Sequence, residues 1–198
     1  NGAVPRGILP HPGVDVSPLF LYRGVQHCHM LRRLRENGPV VLVPLAWTFA
    51  TAAHLGLLAV RTVLIAHLVM LTIIAVFTVL SWREMTDGVL LAWKRVLVVG
   101  FAVTLVGTIG LLATPPLTGL LSTTIAGWML VPAAGRGYTG RHVDRHPRVY
   151  TAGAALSGLG VASYALGLGL GVAALPVAGL TLANVGQTAG IVAAVYDY

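Results

Sequence analysis

Cysteine occurs once, at Cys28, so no disulfide can close within the chain and thiol pairing does not report the redox compartment. Charge is scarce as well. Asp, Glu, Lys and Arg make up 10% of the residues, against roughly 25% in soluble domains. The six acidic residues all lie outside the apolar runs or at their ends, which removes the carboxylate relay that proton-coupled pumps and transporters use. Lysine is reduced to Lys94, beside twelve arginines. There is no HExxH, CxxC, CxxCH or GxSxG motif, no phosphate-cradling GxxxxGK[ST], and no DxxxD pair for magnesium. These absences exclude the common soluble hydrolases, metalloproteases and P-loop enzymes.

What the chain has in quantity is apolar sequence: 56% of its residues are hydrophobic and its mean hydropathy is +0.82. Residues 39–82 carry one formal charge, Arg61. About 20 apolar residues cross the roughly 30 Å hydrocarbon layer as a helix, so this run is long enough for two spans. The whole pattern predicts an all-α, polytopic bundle of six transmembrane helices, near 39–60, 62–82, 95–113, 117–134, 150–171 and 174–195. Residues 39–198 then form one membrane domain and 1–38 a cytoplasmic leader. Asn37-Gly38-Pro39, Thr114-Pro115-Pro116 and Pro176 punctuate the segments. At Arg61 no strong helix breaker stands, which leaves a single bent helix with a displaced partner as the alternative to a hairpin.

The basic residues alternate in side. Arg23, Arg32, Arg33, Arg35, Arg83, Lys94, Arg95, Arg136, Arg141, Arg145 and Arg148 fall on one side and Arg61 alone on the other, with Arg6 unassigned in the leader. By the positive-inside rule both termini are expected in the cytoplasm, in a multi-pass protein of the cell membrane. The net charge of +7 is then explained by topology and lipid headgroups, without nucleic acid. Trp82, Trp93, Tyr138 and Tyr150 fall at the same predicted interface, where amphipathic rings prefer to lie. Residues 1–16 lack the apolar core of a signal peptide. Residues 17–36 begin Ser-Pro and mix leucines with arginines, the pattern of an interfacial amphipathic helix. Arg32, Arg33 and Arg35 there, and Arg141, Arg145 and Arg148 before the fifth span, are candidate contacts for lipid headgroups.

Many of the 24 glycines lie within predicted spans, where small residues let helix backbones approach. Gly186 with Gly190, Gly167 with Gly171, and the stripe Gly100, Thr104, Gly107 are the candidate packing faces. On the sixth segment Thr181, Asn184, Gln187 and Thr188 share a polar face at helical spacing. They serve either interhelical hydrogen bonds or the lining of a small-solute path.

His54 and His67 are the ionisable side chains inside the predicted hydrocarbon region, and such groups are functional candidates because burying them is costly. Neutral imidazole binds transition metals and haem iron, so the pair is a candidate metal or haem site. A tight hairpin brings helix axes to roughly 8–10 Å, too close for a haem clamped between the two rings. Hydrogen bonding to carbonyls and hydroxyls is the alternative role. A weaker N/S cluster is His27, Cys28 and His29 with His142 and His146. Three functions remain open: a metal- or haem-handling redox protein, a non-catalytic subunit of a larger membrane complex joined to other subunits or to its own copy, and a channel or facilitator for a small solute.

Overall fold

The computed structural model describes residues 40–197, and every regular element among them is a helix. In chain order these are α1 (Val40–His54), α2 (Val60–Leu80), α3 (Gly88–Leu112), α4 (Thr118–His142), α5 (Pro147–Leu170) and α6 (Ala174–Asp197). Four of them, α2, α3, α5 and α6, are long and apolar enough to cross a membrane. The protein is therefore a membrane-embedded helical protein. The leader helix expected over residues 17–36, with Arg32, Arg33, Arg35, His27, Cys28 and His29, lies outside the described residues.

The first predicted boundary needs correction. Helix α1 stops at His54 because Gly56 adopts a left-handed φ of 72°, and its amide donates to the Ala53 carbonyl while the Leu57 amide donates to Ala52. That pair of bonds is the Schellman ending, which favours glycine at this place. The turn therefore occupies residues 55–59, and Arg61 lies in the first turn of α2. At 1.5 Å per residue α1 is roughly 22 Å long, shorter than the full crossing expected of residues 39–60. Gly171, at φ 69°, ends α5 in the same manner, with the Val172 amide donating to Gly167.

Two other helices run past their expected limits. α3 starts at Gly88, not at 95, behind an extended Asp87; Lys94 is accommodated there by donating to the Trp82 carbonyl at 3.0 Å and standing 4.4 Å from the Trp82 ring. α4 continues beyond 134 to His142 and contains Pro132. No turn-forming pair interrupts it there. Consequently Arg136, expected in a loop, is part of a helix.

Neighbouring helices from α3 onward pair antiparallel, and glycines mark their contacts. Gly100 meets Trp128, Gly127 meets Val103 and Gly107 meets Thr124 between α3 and α4. Between α5 and α6 the backbones touch: a β-carbon on Gly160 would stand 2.6 Å from the Gly179 carbonyl oxygen, and one on Gly186 2.6 Å from that of Gly153. Helix α1 adds Trp47 to the apolar core, beside Met129 of α4, Tyr164 of α5, and Leu180 and Ala183 of α6. Helix α2 packs on α3 but buries only Ile74. Its apolar side chains, among them Val69, Val76 and Phe77, face outward.

Candidate functional site

Pro132 sets the local chemistry of the bundle. Lacking an amide hydrogen, it cannot donate to the carbonyl four residues earlier, that of Trp128. In a bilayer a freed carbonyl must be satisfied by a neighbouring helix. Gln187 of α6 does this, its Nε2 donating to the Trp128 oxygen at 2.9 Å. The Trp128 indole donates in turn to Thr104 Oγ1 of α3 at 3.0 Å, and Thr104 donates to the Gly100 carbonyl at 2.8 Å. One proline thus organises a polar layer through α6, α4 and α3.

Arg136 enters the same layer. It lies one helical turn beyond Pro132 and is only 2% exposed. One terminal nitrogen, Nη2, donates to the Gln187 carbonyl at 3.2 Å; Nε and Nη1 are buried without a hydrogen-bond partner. Glycine makes the room. A β-carbon on Gly190 would stand 2.6 Å from Arg136 Nε and 2.9 Å from its Cδ, and one on Gly153 3.6 Å from Cδ. Ser157, one turn along α5 from Gly153, is fully buried, and its Oγ also has no partner.

Sequence reasoning missed this site by treating Arg136 as a topology charge. The signal was present: residues 133–137 read Ala-Ala-Gly-Arg-Gly, with no Pro, Asn or Asp from 133 to 143 to end the helix. The pair Gly186 and Gly190 is likewise divided in role. Gly186 meets Gly153, whereas Gly190 receives the arginine.

The two histidines expected to work together have separate surroundings. His54 lies 5.4 Å from the Tyr164 ring, with Nδ1 3.5 Å from the phenol oxygen. His67 uses Nδ1 toward its own helix, at 2.9 Å from the Val63 carbonyl, and its Nε2 points to the Gly107 surface beside Thr124. His54 thus faces α5 through Tyr164, while His67 faces α3 at Gly107. Among the described residues, no group of three or more His, Cys, Asp or Glu could hold a metal ion.

The remaining candidates separate as well. His142 ends α4, its Nδ1 2.8 Å from the Tyr138 carbonyl and its ring stacked on Tyr138 at 4.0 Å. His146 caps α5 in the left-handed region, φ 47°. The helix breaks between them, so the shared face that i, i+4 spacing would give is not formed. Arg141, Arg145 and Arg148 are exposed, and Arg95 and Tyr138 border an otherwise apolar groove of about 370 Å³ between α3 and α4. On α6, Thr181 donates to Val177 at 2.9 Å and Thr188 to the Asn184 side chain at 3.1 Å. Gln187 alone of that stripe ties helices together. Comparison with protein-family models, with curated proteins and with solved structures finds no match to this chain.

Proposed function

We propose that the protein is a non-catalytic subunit of a larger membrane assembly: a six-span bundle in the cell membrane with both termini in the cytoplasm. α3 to α6 form its packed unit, and α2 carries the surface that meets another membrane chain. The observation that carries this reading is where the polar side chains are spent. Gln187, Trp128, Thr104, Thr124, Ser163 and Trp93 each donate to another helix or to its side chain or, as Thr104 does, receive such a bond. Such bonds in membranes contribute roughly 0.6–2 kcal/mol each to helix association. Helix α2 is the most apolar of the four long spans, yet it takes least part in the chain's own core. Placing the basic connections 81–87 and 143–146 on the cytoplasmic side follows the positive-inside rule. In the α6 stripe Gln187 bonds α4 while Thr181 and Thr188 bond within their own helix, so the member that reaches beyond α6 supports packing over a solute path.

A photo-crosslinking residue at Val69 or Phe77, in native membranes, tests the reading. One protein adduct of fixed stoichiometry is expected from these α2 positions and none from Leu159 on α5. Lipid adducts alone at Val69 and Phe77 would contradict it.

One observation favours a second reading, metal or haem handling. With Nδ1–H of His67 donated to Val63, Nε2 carries the lone pair, the arrangement found in metal-bound histidines. Purified protein with a Soret band or stoichiometric metal, lost in His67→Ala or His54→Ala, would establish that reading.

A further inference from the structure

We propose that Arg136 and Ser157 form a binding site for one small oxyanion, of the phosphate or carboxylate class, inside the bundle. The buried side-chain atoms without partners among the described residues are Thr78 Oγ1 on α2 and three others: Arg136 Nε and Nη1 on α4, and Ser157 Oγ on α5. Those three are all hydrogen donors. Together they offer one N–H on Nε, two on Nη1 and one hydroxyl, a set that one acceptor-rich partner can satisfy at once.

Charge narrows the class further. A guanidinium keeps its proton, so at 2% exposure Arg136 brings a positive charge into the bundle. The groups against it include Gly153 of α5 and Gln187 and Gly190 of α6, none of which bears charge. Among the described side chains the acidic ones, Glu84, Asp87 and Asp144, stand in the connections between helices. A buried cation without a counter-charge is strongly disfavoured. An oxyanion supplies both the charge and the lone pairs, and arginine binds such groups through paired N–H bonds.

The site also has a built wall. Gly190 and Gly153 lack the side chains that would displace the arginine, and the Gln187 carbonyl, fixed by its helix, orients the guanidinium through Nη2. Ser157 lies on the α5 face that carries Gly153, roughly 6 Å farther from the charged end of the bundle. Arg136 is six residues from the end of α4, roughly 9 Å in. A free anion and the phosphate of a lipid headgroup share the same chemistry at that depth.

The test uses the full chain, purified in detergent and stripped of lipid, with thermal unfolding followed by tryptophan fluorescence. Inorganic phosphate and acetate are titrated against chloride at constant ionic strength, and vesicles of phosphatidylglycerol are compared with phosphatidylcholine. Saturable stabilisation by a free oxyanion identifies a soluble ligand; stabilisation only by phosphatidylglycerol identifies the headgroup. Ser157→Ala removes a buried hydroxyl that bonds nothing in the unliganded bundle, so the variant without oxyanion is at least as stable as the wild type while apparent affinity falls about tenfold. Arg136→Gln loses the response, and Arg148→Gln, at an exposed position, keeps it. The proposal is overturned if neither oxyanion nor phosphatidylglycerol stabilises the wild type, or if Ser157→Ala and Arg136→Gln respond as the wild type does.

Discussion

Pro132 and Gln187 are one unit written at two distant places in the chain. The proline frees a carbonyl, and the amide 55 positions later satisfies it at 2.9 Å. Gln187→Leu therefore leaves the Trp128 carbonyl unpaired, a loss of about 1–2 kcal/mol. Pro132→Ala restores the backbone donor, so in that background Gln187→Leu costs less than half as much. A double-mutant cycle on unfolding in mixed micelles measures the coupling. Additive single effects would show that Gln187 and Pro132 act independently. At the same scale the α6 face was only partly legible. Spacing grouped Thr181, Asn184, Gln187 and Thr188, but which of them faces a neighbour depends on helix rotation, and only Gln187 hydrogen-bonds to another helix.

At the scale of the element, glycine has opposite meanings two residues apart. Gly158 of α5 faces open space, whereas a β-carbon on Gly160 would collide with the Gly179 carbonyl oxygen at 2.6 Å. Gly158→Ala is thus expected to stabilise the helix by roughly 0.5–1 kcal/mol. Gly160→Ala pushes α6 away and destabilises the bundle by about 1–3 kcal/mol. Paired thermal melts of the two variants check the contrast, and melting points shifted in the same direction would contradict the α5–α6 contact. The existence and order of α1 to α6 were readable from hydropathy, although only α2, α3, α5 and α6 are long and apolar enough to cross a membrane. The ends were less readable. Gly56 is the residue that stops α1, and its signal was weak because glycine abounds throughout the chain, while the formal charge of Arg61 marked a turn five residues too late. Lys94 and Arg95 hid the first two turns of α3 for the complementary reason: charge reads as loop, although a long basic side chain can leave its helix for the interface.

For the whole molecule, the alternation of basic connections and apolar helices carries the proposed orientation, and one charge escapes that rule. Arg83, Arg141, Arg145 and Arg148 are exposed near helix ends at one end of the bundle. Arg136 is buried among α4, α5 and α6, and its removal from the positive-inside count leaves the asymmetry intact. Sequence alone could not separate it from its exposed neighbours, since its burial depends on Gly153 and Gly190 arriving from two other helices. The most direct measurement is thiol labelling in a Cys28→Ser background, using a membrane-impermeant maleimide on right-side-out and inverted vesicles. Arg148→Cys should label only in inverted vesicles and Arg61→Cys only in right-side-out ones. Arg136→Cys should resist labelling in both until the protein is unfolded. Labelling of Arg136→Cys in inverted vesicles at the rate of Arg148→Cys would place the arginine in a solvated loop and contradict the buried polar layer.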